Sequence, residues 1–366
     1  MTDLEAVPLG EKVKLSWVNS MGKHSDWWHE IMIIASENEI TAVPNKKEYS
    51  ADPTFGNAPA PNSGEFIVFA GADSVAFIDG LENGKEYHFK VFVRYDSGED
   101  FYWSSGVEAT CIPFDNKKLW TGNAKTNLFM DANNWSPVGV PGKPHDVILD
   151  NSTIDIAYEV ELINATPIEL NSLTISPQNT SNIALTLKSE ENNEMTLTLH
   201  DNTSPLTISD YGVLKNSLTN ATNTLILPNN QIKIADEGKY IHNTDVSHTE
   251  ILDKISLNNG IIPGTIEFNV PGEGSYATSL VGRTFNKLVF SSESGISYNA
   301  GGKTALTVKE ALIITENNVL NLGGFEAPIV IEGDLTIDGN LQFNNEIIFS
   351  GDDAQTLSGK TQARFC

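Results

Sequence analysis

Short runs in which apolar and polar residues alternate fill this chain and predict strands along its whole length. In VKLSWV, Val13, Leu15 and Trp17 fall on one face of a strand, while Lys14 and Ser16 fall on the other. Few segments of ten or more residues have apolar residues at helical spacing. The pattern predicts an all-β protein, and 366 residues are enough for two or three domains with separate cores.

The segment from Glu11 to Phe114 contains about seven such runs divided by turn signals, a number typical of a β-sandwich. Within it, LENGKEYHFKV combines Leu81, a turn at Asn83-Gly84 and Tyr87 at the start of an alternating strand. This order is found at the tyrosine corner of sandwich domains, so a structural role is expected for Tyr87.

The order of the motifs in this segment resembles the fibronectin-type-III-like domains of large secreted Bacteroidetes proteins. The resemblance covers residues 8–114 and is carried by LSWVNS, an aromatic pair before IMIIAS, YSADPTFG, IVFAG, L-x-x-G-x-x-Y-x-F-x-V and WSSGVEAT. The polar segment PFDNKK follows and has no periodicity. We therefore assign residues 1–114 to a fibronectin-type-III-like sandwich and residues 115–366 to a second domain.

Two aromatic pairs in the first domain are candidates for stacking on sugar rings, because flat apolar faces favour such contacts. They are Trp27 with Trp28 and Tyr102 with Trp103. The alternative is that all four residues serve core and rim packing.

A short O-glycosylation motif attributed to Bacteroidetes is matched by Asp73-Ser74-Val75. Ser74 is the candidate modified residue, although it also stands where a strand is expected to begin.

The second domain contains many short apolar runs, such as SLTIS, IALTL, MTLTL and PLTIS, separated by Asn, Gly, Asp, Ser and Thr. Three such strands with their turns take about 22 to 25 residues, the length of one coil of a β-helix. Inward Leu, Ile, Val and Phe side chains would then stack from coil to coil. The spacing predicts a β-solenoid.

Two motifs of this domain resemble known bacterial surface proteins. Trp120, Asn134-Trp135 and Pro141 ahead of an apolar strand resemble the opening of parallel β-helical surface proteins. Residues 264–290 also resemble residues 345–366, and IIFSGDDAQTLSG resembles repeats in very large Bacteroidetes surface and gliding-associated proteins exported by the type IX secretion system.

That resemblance implies an adhesin-like or scaffold role at the outer-membrane exterior, with surface glycans or other surface proteins as partners. It also implies an export signal at a distant C-terminus beyond these residues. No apolar run reaches the length of a membrane span, and the N-terminus lacks the features of a signal peptide.

Charge and cysteine content narrow the function further. A formal net charge of −25 repels phosphates, so we expect no nucleic-acid partner. Only Cys111 and Cys366 are present, which gives no disulfide framework and no cysteine metal site.

The acidic turns at 98–101, 149–155 and 350–355 could bind structural calcium or could be plain Asx-turns. No other cofactor is expected.

Catalytic motifs are not apparent. The seven histidines show no zinc spacing, and the nearest pair, His242 and His248, is expected on a solvated turn. Arg283 and Arg364, the only arginines of the second domain, occupy equivalent repeat positions, which favours a structural role.

We therefore predict a non-catalytic structural or adhesive module with no catalytic residues. The alternatives are a carbohydrate-active β-helix enzyme, which needs carboxylates and a basic residue converging in one groove, and a sugar-binding module.

Overall fold

A computed structural model describes residues 2–19, 28–46, 48–58, 62–97, 100–164, 166–189, 195–219, 225–227, 231–246 and 248–360. The chain divides into two compact units, residues 1–116 and 117–366. Regular structure in these ranges is β, apart from α1 (Thr249–Lys254) and a 3-10 turn (Ala132–Asn134). The predicted all-β class is confirmed. No helix among the described residues has the length and apolar character needed to cross a bilayer.

The first unit consists of two antiparallel sheets, with strand orders β1-β2-β5 and β4-β3-β6-β7, and β8 also pairs with β6. The strands are β1 (Thr2–Leu9), β2 (Lys12–Val18), β3 (Trp28–Ser36), β4 (Glu65–Gly71), β5 (Val75–Ile78), β6 (Tyr87–Asp96), β7 (Phe101–Trp103) and β8 (Val107–Cys111).

The core of the first unit lies between these two sheets, because each contributes its apolar face. Val13, Leu15 and Trp17 of β2 are buried in one cluster with Ile31 of β3 and Phe89 of β6, among others. The intervening residues of β2 are not buried. The alternation read from VKLSWV is therefore confirmed, and burial of this apolar face is what fixes the register of β2.

The tyrosine corner is present as expected. The hydroxyl of buried Tyr87 accepts a hydrogen bond from the backbone N–H of Glu82 at 3.0 Å. Gly84 adopts φ +83°, a left-handed conformation that glycine reaches without the steric penalty of a side chain. The corner fastens the connection before β6 to the start of that strand.

The second unit has the following strands: β9 (Lys117–Trp120), β10 (Trp135–Ser136), β11 (Asp146–Leu149), β12 (Tyr158–Asn164), β13 (Ile168–Leu170), β14 (Ser172–Ile175), β15 (Ile183–Ser189), β16 (Leu197–Leu199), β17 (Leu206–Ile208), β18 (Gly212–Ser217), β19 (Leu225–Ile226), β20 (Ile232–Ile234), β21 (Lys239–His242), β22 (Ile262–Phe268), β23 (Gly274–Ala277), β24 (Thr284–Phe290), β25 (Ile296–Gly302), β26 (Leu306–Ile314), β27 (Val319–Phe325), β28 (Ile329–Ile331), β29 (Asp334–Ile337), β30 (Asn340–Gln342), β31 (Ile347–Phe349) and β32 (Leu357–Ser358).

These strands form a parallel β-helix, as predicted. The longest sheet runs in the order β12-β15-β18-β21-β22-β24-β26-β28-β31, with β29 and β32 beside it, and all of its neighbours are parallel. Three further sheets follow the orders β10-β9-β11-β14-β17-β20, β13-β16-β19 and β23-β25-β27-β30.

One column of inward side chains shows how the coils stack. Matched positions of successive coils hold Val160, Leu185, Leu214, Tyr240, Ile266, Leu288, Leu312, Leu335 and Leu357. All are buried except Leu357 in the last described coil. Coil length varies, since Ile266 and Leu288 are 22 residues apart whereas Leu185 and Leu214 are 29 apart. The longest coil therefore exceeds the predicted range.

The opening motif forms the first layer of the solenoid core. Trp120 and Trp135 face each other across the antiparallel pair β9 and β10, with ring centroids 5.1 Å apart. Trp135 Nε1 donates to the carbonyl of Phe129 at 2.7 Å. Buried Asn134 donates to the carbonyls of Thr126 and Leu128, so its amide stays hydrogen-bonded inside the core.

Candidate functional site

The aromatic residues proposed for sugar stacking do not share one face where the structure describes them. Trp27 lies outside the described residues, and of Trp28 only the backbone, at the start of β3, is described. Tyr102 and Trp103 are consecutive in β7, so their side chains point to opposite faces. Tyr102 is 58% exposed. Trp103 instead contacts Tyr49 edge to face and donates from Nε1 to the carbonyl of Lys46 at 2.9 Å.

Ser74 is exposed in the turn that precedes β5. Its carbonyl accepts the backbone N–H of Trp17 at 3.1 Å. The backbone of Ser74 is therefore held in place, and its exposed position keeps it a candidate modification site.

Arg283 makes local contacts. Its guanidinium lies 2.6 Å from the carboxylate of Asp253, and its Nε donates to the carbonyl of Ser279 at 3.0 Å. Arg364 lies outside the described residues. Arg283 thus ties α1 to the segment that follows β23.

Several side chains in the turns considered for calcium make hydrogen bonds within the protein. Asp150 accepts the backbone N–H of Ser152 at 2.8 Å, as in an Asx-turn, and Asp155 accepts from the amide of Asn179. In the last turn, Gln355 donates to the carbonyls of Ile331 and Gly333. Residues 98 and 99 lie outside the described ranges. Across those ranges, no three His, Cys, Asp or Glu residues group closely enough to hold a metal ion.

Charged side chains on the longest sheet are paired between neighbouring coils. Lys188 contacts Glu161, Lys239 lies 3.1 Å from Glu267, and Lys309 lies 2.6 Å from Glu332. Each pair joins strands adjacent in the parallel ladder or the turns beside them. These three carboxylates are therefore held by lysines one coil away.

The expectation of a solvated turn for His242 and His248 is wrong. His242 is 0% exposed and His248 is 2% exposed. His242 ends β21, where alternation turns it inward with Tyr240, and His248 precedes α1. Their rings are 5.5 Å apart and meet at 70°. Phe268 packs edge to face against both imidazoles.

Tyr276 of β23 joins the two imidazoles by hydrogen bonds. Its Oη lies 2.8 Å from His242 Nε2 and 2.9 Å from His248 Nδ1, and it donates to the carbonyl of Val246 at 2.6 Å. His248 Nε2 accepts the backbone N–H of Ser279 at 2.8 Å. We call His242, His248 and Tyr276 the imidazole cluster.

Burial disfavours the charged form of each group in the imidazole cluster. It lowers the pKa of His242 to about 4, against the raising effects of the Val246 carbonyl and Asp245. Burial lowers the pKa of His248 to about 3, and the nearby His242 and Arg283 act in the same direction. The pKa of Tyr276 is raised, again chiefly by burial. All three side chains are therefore neutral at pH 7.

A surface cavity of about 590 Å³ adjoins the imidazole cluster. Its lining is mostly polar and comes from Asp245, His248, Thr249, Ser275, Tyr276, Ala277, Thr278, Ser279, Val281 and Gly301. Asp245 is exposed and supplies the carboxylate of this lining. The cavity therefore offers hydroxyl groups and an anionic acceptor beside small apolar surfaces.

Part of the imidazole cluster could have been predicted from the sequence. Tyr240 and His242 are two residues apart in KYIH, so an inward Tyr240 implies an inward His242. No pattern in the sequence predicts the burial of His248, because that burial depends on how α1 packs. Tyr276 comes from a different coil, 34 residues after His242.

No protein-family model matches the sequence, and no curated protein matches it. Two solved structures match the chain weakly. One is pectate lyase PelI from Erwinia chrysanthemi in complex with tetragalacturonic acid, at 10% identity and a TM-score of 0.21, covering 98% of this chain and 99% of that one. The other is pectate lyase Pel3 from Pectobacterium carotovorum, at 12% identity and a TM-score of 0.20, covering 94% and 90%. At these TM-scores the likeness supports no conclusion about this chain.

Proposed function

We propose that this chain is a non-catalytic structural or adhesive module of a large bacterial surface protein. In this proposal the first unit is a fibronectin-type-III-like spacer and the second is a stiff solenoid. The location is the exterior of the outer membrane, reached through type IX secretion, and the partners are surface glycans or other surface proteins.

The observation that carries the proposal is the pairing of carboxylates between coils. Glu161 and Glu267 lie in strands of the longest sheet and Glu332 directly follows β28, and each contacts a lysine of a neighbouring coil. A single exposed pair contributes little, about 0–1 kcal/mol, but a series along one face resists separation of successive coils. Carboxylates that are paired between coils support the role of a stiff scaffold, whereas glycoside hydrolysis requires two carboxylates that face the substrate.

Turnover of polysaccharides tests this proposal directly. The full chain is incubated with neutral and acidic polysaccharides, with and without added calcium, and new chain ends are measured against heat-denatured protein. We expect no product above that control, together with retention on at least one immobilised surface glycan or surface protein. Product formed only by the native chain would overturn the non-catalytic assignment, and absence of retention would overturn the adhesive one.

A second candidate function, saccharide binding by the solenoid, is supported by the cavity beside the imidazole cluster. Thr249, Ser275 and Ser279 present polar groups there, Asp245 adds a carboxylate, and Ala277 adds an apolar surface. Sugar hydroxyls pair with such polar groups, while the apolar face of the ring covers small side chains. We therefore propose this cavity, rather than Tyr102 and Trp103, as the saccharide site.

Titration of the full chain with neutral oligosaccharides, followed by NMR, tests the second candidate. We expect shifts confined to residues 245–301 and at least a tenfold weaker binding in Asp245→Asn. Asp253→Asn is the matched control, because Asp253 contacts Arg283 and is not among the cavity-lining residues. Shifts elsewhere, or equal binding by both variants, would exclude the cavity.

A further inference from the structure

We propose that the imidazole cluster is a proton-operated latch. While both imidazoles are neutral, the cluster fastens His248 and α1 against the following coils, and protonation releases them. The proposal concerns residues 248–254 and is independent of the functions proposed above.

The hydrogen bonds around His248 fix its protonation state. Its Nε2 accepts the backbone N–H of Ser279 at 2.8 Å, so that nitrogen must carry a lone pair. The proton of the neutral ring is then on Nδ1, which donates to Tyr276 Oη at 2.9 Å. A second proton on Nε2 would point at the Ser279 N–H. Two donors would face each other in a buried site, and the bond that holds α1 to the segment after β23 would be lost.

His242 occupies the opposite tautomer. The amide of Asn216 donates to Tyr240 Oη at 3.3 Å, and the Tyr240 hydroxyl in turn donates to His242 Nδ1 at 3.3 Å. The proton of His242 is therefore on Nε2, which lies 3.0 Å from the carbonyl of Val246 and 2.8 Å from Tyr276 Oη. The whole network is satisfied when both rings are neutral. Protonation of both would place two cations with ring centroids 5.5 Å apart in the core.

Charged groups around the imidazole cluster act in both directions. Asp245 favours protonated His242, and Asp253 of α1 favours protonated His248, whereas Arg283 disfavours it. Glu250 and Lys254 of α1 pair with each other at 3.0 Å, and Lys239 of β21 pairs with Glu267 of β22. Tyr276 and Tyr298 remain neutral, because burial raises the pKa of both. Burial outweighs the two aspartates, so the closed state binds protons weakly.

Release of the latch would uncover apolar surface. Ile251 and Leu252 of α1 and the following Ile255 are buried in the solenoid core. They lie on the segment that His248 fastens, and His248 also lines the cavity. Opening would therefore present a new apolar surface beside the cavity.

The direction of the pH effect follows from linkage. Free histidine has a pKa near 6.5, and the closed state lowers that of His242 to about 4 and that of His248 to about 3. Below pH 6.5 the released state binds more protons than the closed state. The opening constant therefore rises by up to about tenfold per histidine for each pH unit, until the closed-state pKa is reached.

Hydrogen exchange of the full chain measures this opening. Protection of residues 248–254, corrected for intrinsic exchange rates, is compared at pH 7.5 and pH 5.0 with that of β26, residues 306–314. We expect protection of α1 to fall at least tenfold relative to β26, and binding of an apolar dye to rise in parallel. Equal protection ratios at the two pH values would overturn the proposal.

His248→Gln is the decisive variant, since a glutamine can accept from Ser279 and donate to Tyr276 but does not titrate. We expect it to lose about half of the logarithmic pH dependence. The matched control is His200→Gln, because His200 is remote in sequence and pairs with Glu169 on the surface. The proposal fails if both variants keep the wild-type dependence.

Histidine nitrogen NMR of the wild-type chain does not depend on the variant folding. We expect a protonated Nδ1 for His248 and a protonated Nε2 for His242 at pH 6, with neither ring doubly protonated. A doubly protonated His248 at pH 6 would overturn the assignment.

Discussion

The imidazole of His248 accepts the backbone N–H of Ser279 at 2.8 Å and thereby joins the start of α1 to the segment after β23. The two residues are 31 positions apart in the chain, with α1 and the parallel strands β22 and β23 between them. A buried imidazole in the role of acceptor must be neutral, which makes the stability of the solenoid depend on pH.

We expect the free energy of unfolding to fall as the pH drops below 6.5. The unfolded chain binds a proton at each histidine near that pH, whereas the folded chain does so only near pH 4 for His242 and pH 3 for His248. The loss amounts to at most about 1.4 kcal/mol per histidine per pH unit and ends when the folded pKa is reached. Urea unfolding at pH 7.5, 6.5, 5.5 and 4.5 measures it.

Protonation of carboxylates changes the free energy of unfolding at lower pH than protonation of the histidines does. Hydrogen bonds from His200 and Lys143 hold the pKa of Glu169 below its ordinary value of 4.5. The stabilisation from such a group is present above pH 4.5 and is lost only as the pH falls further. A stability that stays constant from pH 6.5 to 5.0 and then drops would contradict the role of the histidines.

Phe268→Ala should strongly destabilise the second unit. The Phe268 ring is fully buried and stacks on Phe290, with centroids 5.5 Å apart and planes at 7°. Truncation of a buried phenylalanine costs about 3–5 kcal/mol. Phe349→Ala, at the position matched to Phe268 in the sequence repeat, should cost about 0.5 kcal/mol, since Phe349 is 42% exposed. Urea midpoints compare the two, and equal losses would show that packing is not the cause.

Gly333→Ala should also destabilise the solenoid, because the coils approach closely there. A Cβ at position 333 would lie 2.0 Å from the carbonyl oxygen of Glu310 in the preceding coil. Overpacking of this kind costs about 1–3 kcal/mol. At Gly142 the nearest heavy atom to an added Cβ is His145 Nδ1 at 3.9 Å, so Gly142→Ala is the control. Thermal unfolding should separate the variants, and matched transitions would argue against the close approach.

Tyr87→Phe should weaken the first unit by about 0.5–1.5 kcal/mol through loss of the hydrogen bond from the Glu82 N–H. Tyr102→Phe is the control, because that side chain is largely exposed and should change stability by no more than about 0.5 kcal/mol. Hydrogen exchange in β6 reports on the first unit alone. Faster exchange in the Tyr102 variant than in the Tyr87 variant would contradict the tyrosine corner.

Local alternation explains why the strands of both units were predictable. Val13, Leu15 and Trp17 turn inward because a strand repeats every two residues, whatever lies around it. The stacking of coils could be predicted from the spacing of the short apolar runs. The length of each coil could not, because connections between strands can lengthen at small cost; Leu185 and Leu214 are 29 residues apart, whereas Ile266 and Leu288 are 22 apart.

The candidate site was only partly visible in the sequence. Tyr102 and Trp103 are adjacent in the sequence, but an extended strand separates neighbouring side chains onto two faces. His248 was expected on a solvated turn, and the residues around it, NTDVSHTE, are mostly polar. That prediction failed because Ile251 and Leu252 pack into the core and carry His248 with them.

The sequence alone therefore determined the all-β class, the solenoid and the identity of most inward residues, since these follow from repeats of two residues and of one coil. Only the tertiary structure decided which polar side chains are buried together. Tyr276 meets His242 and His248 because parallel stacking brings residues of different coils within hydrogen-bonding distance. Their neutral state then follows from burial, a property of the packed coils that no single strand contains.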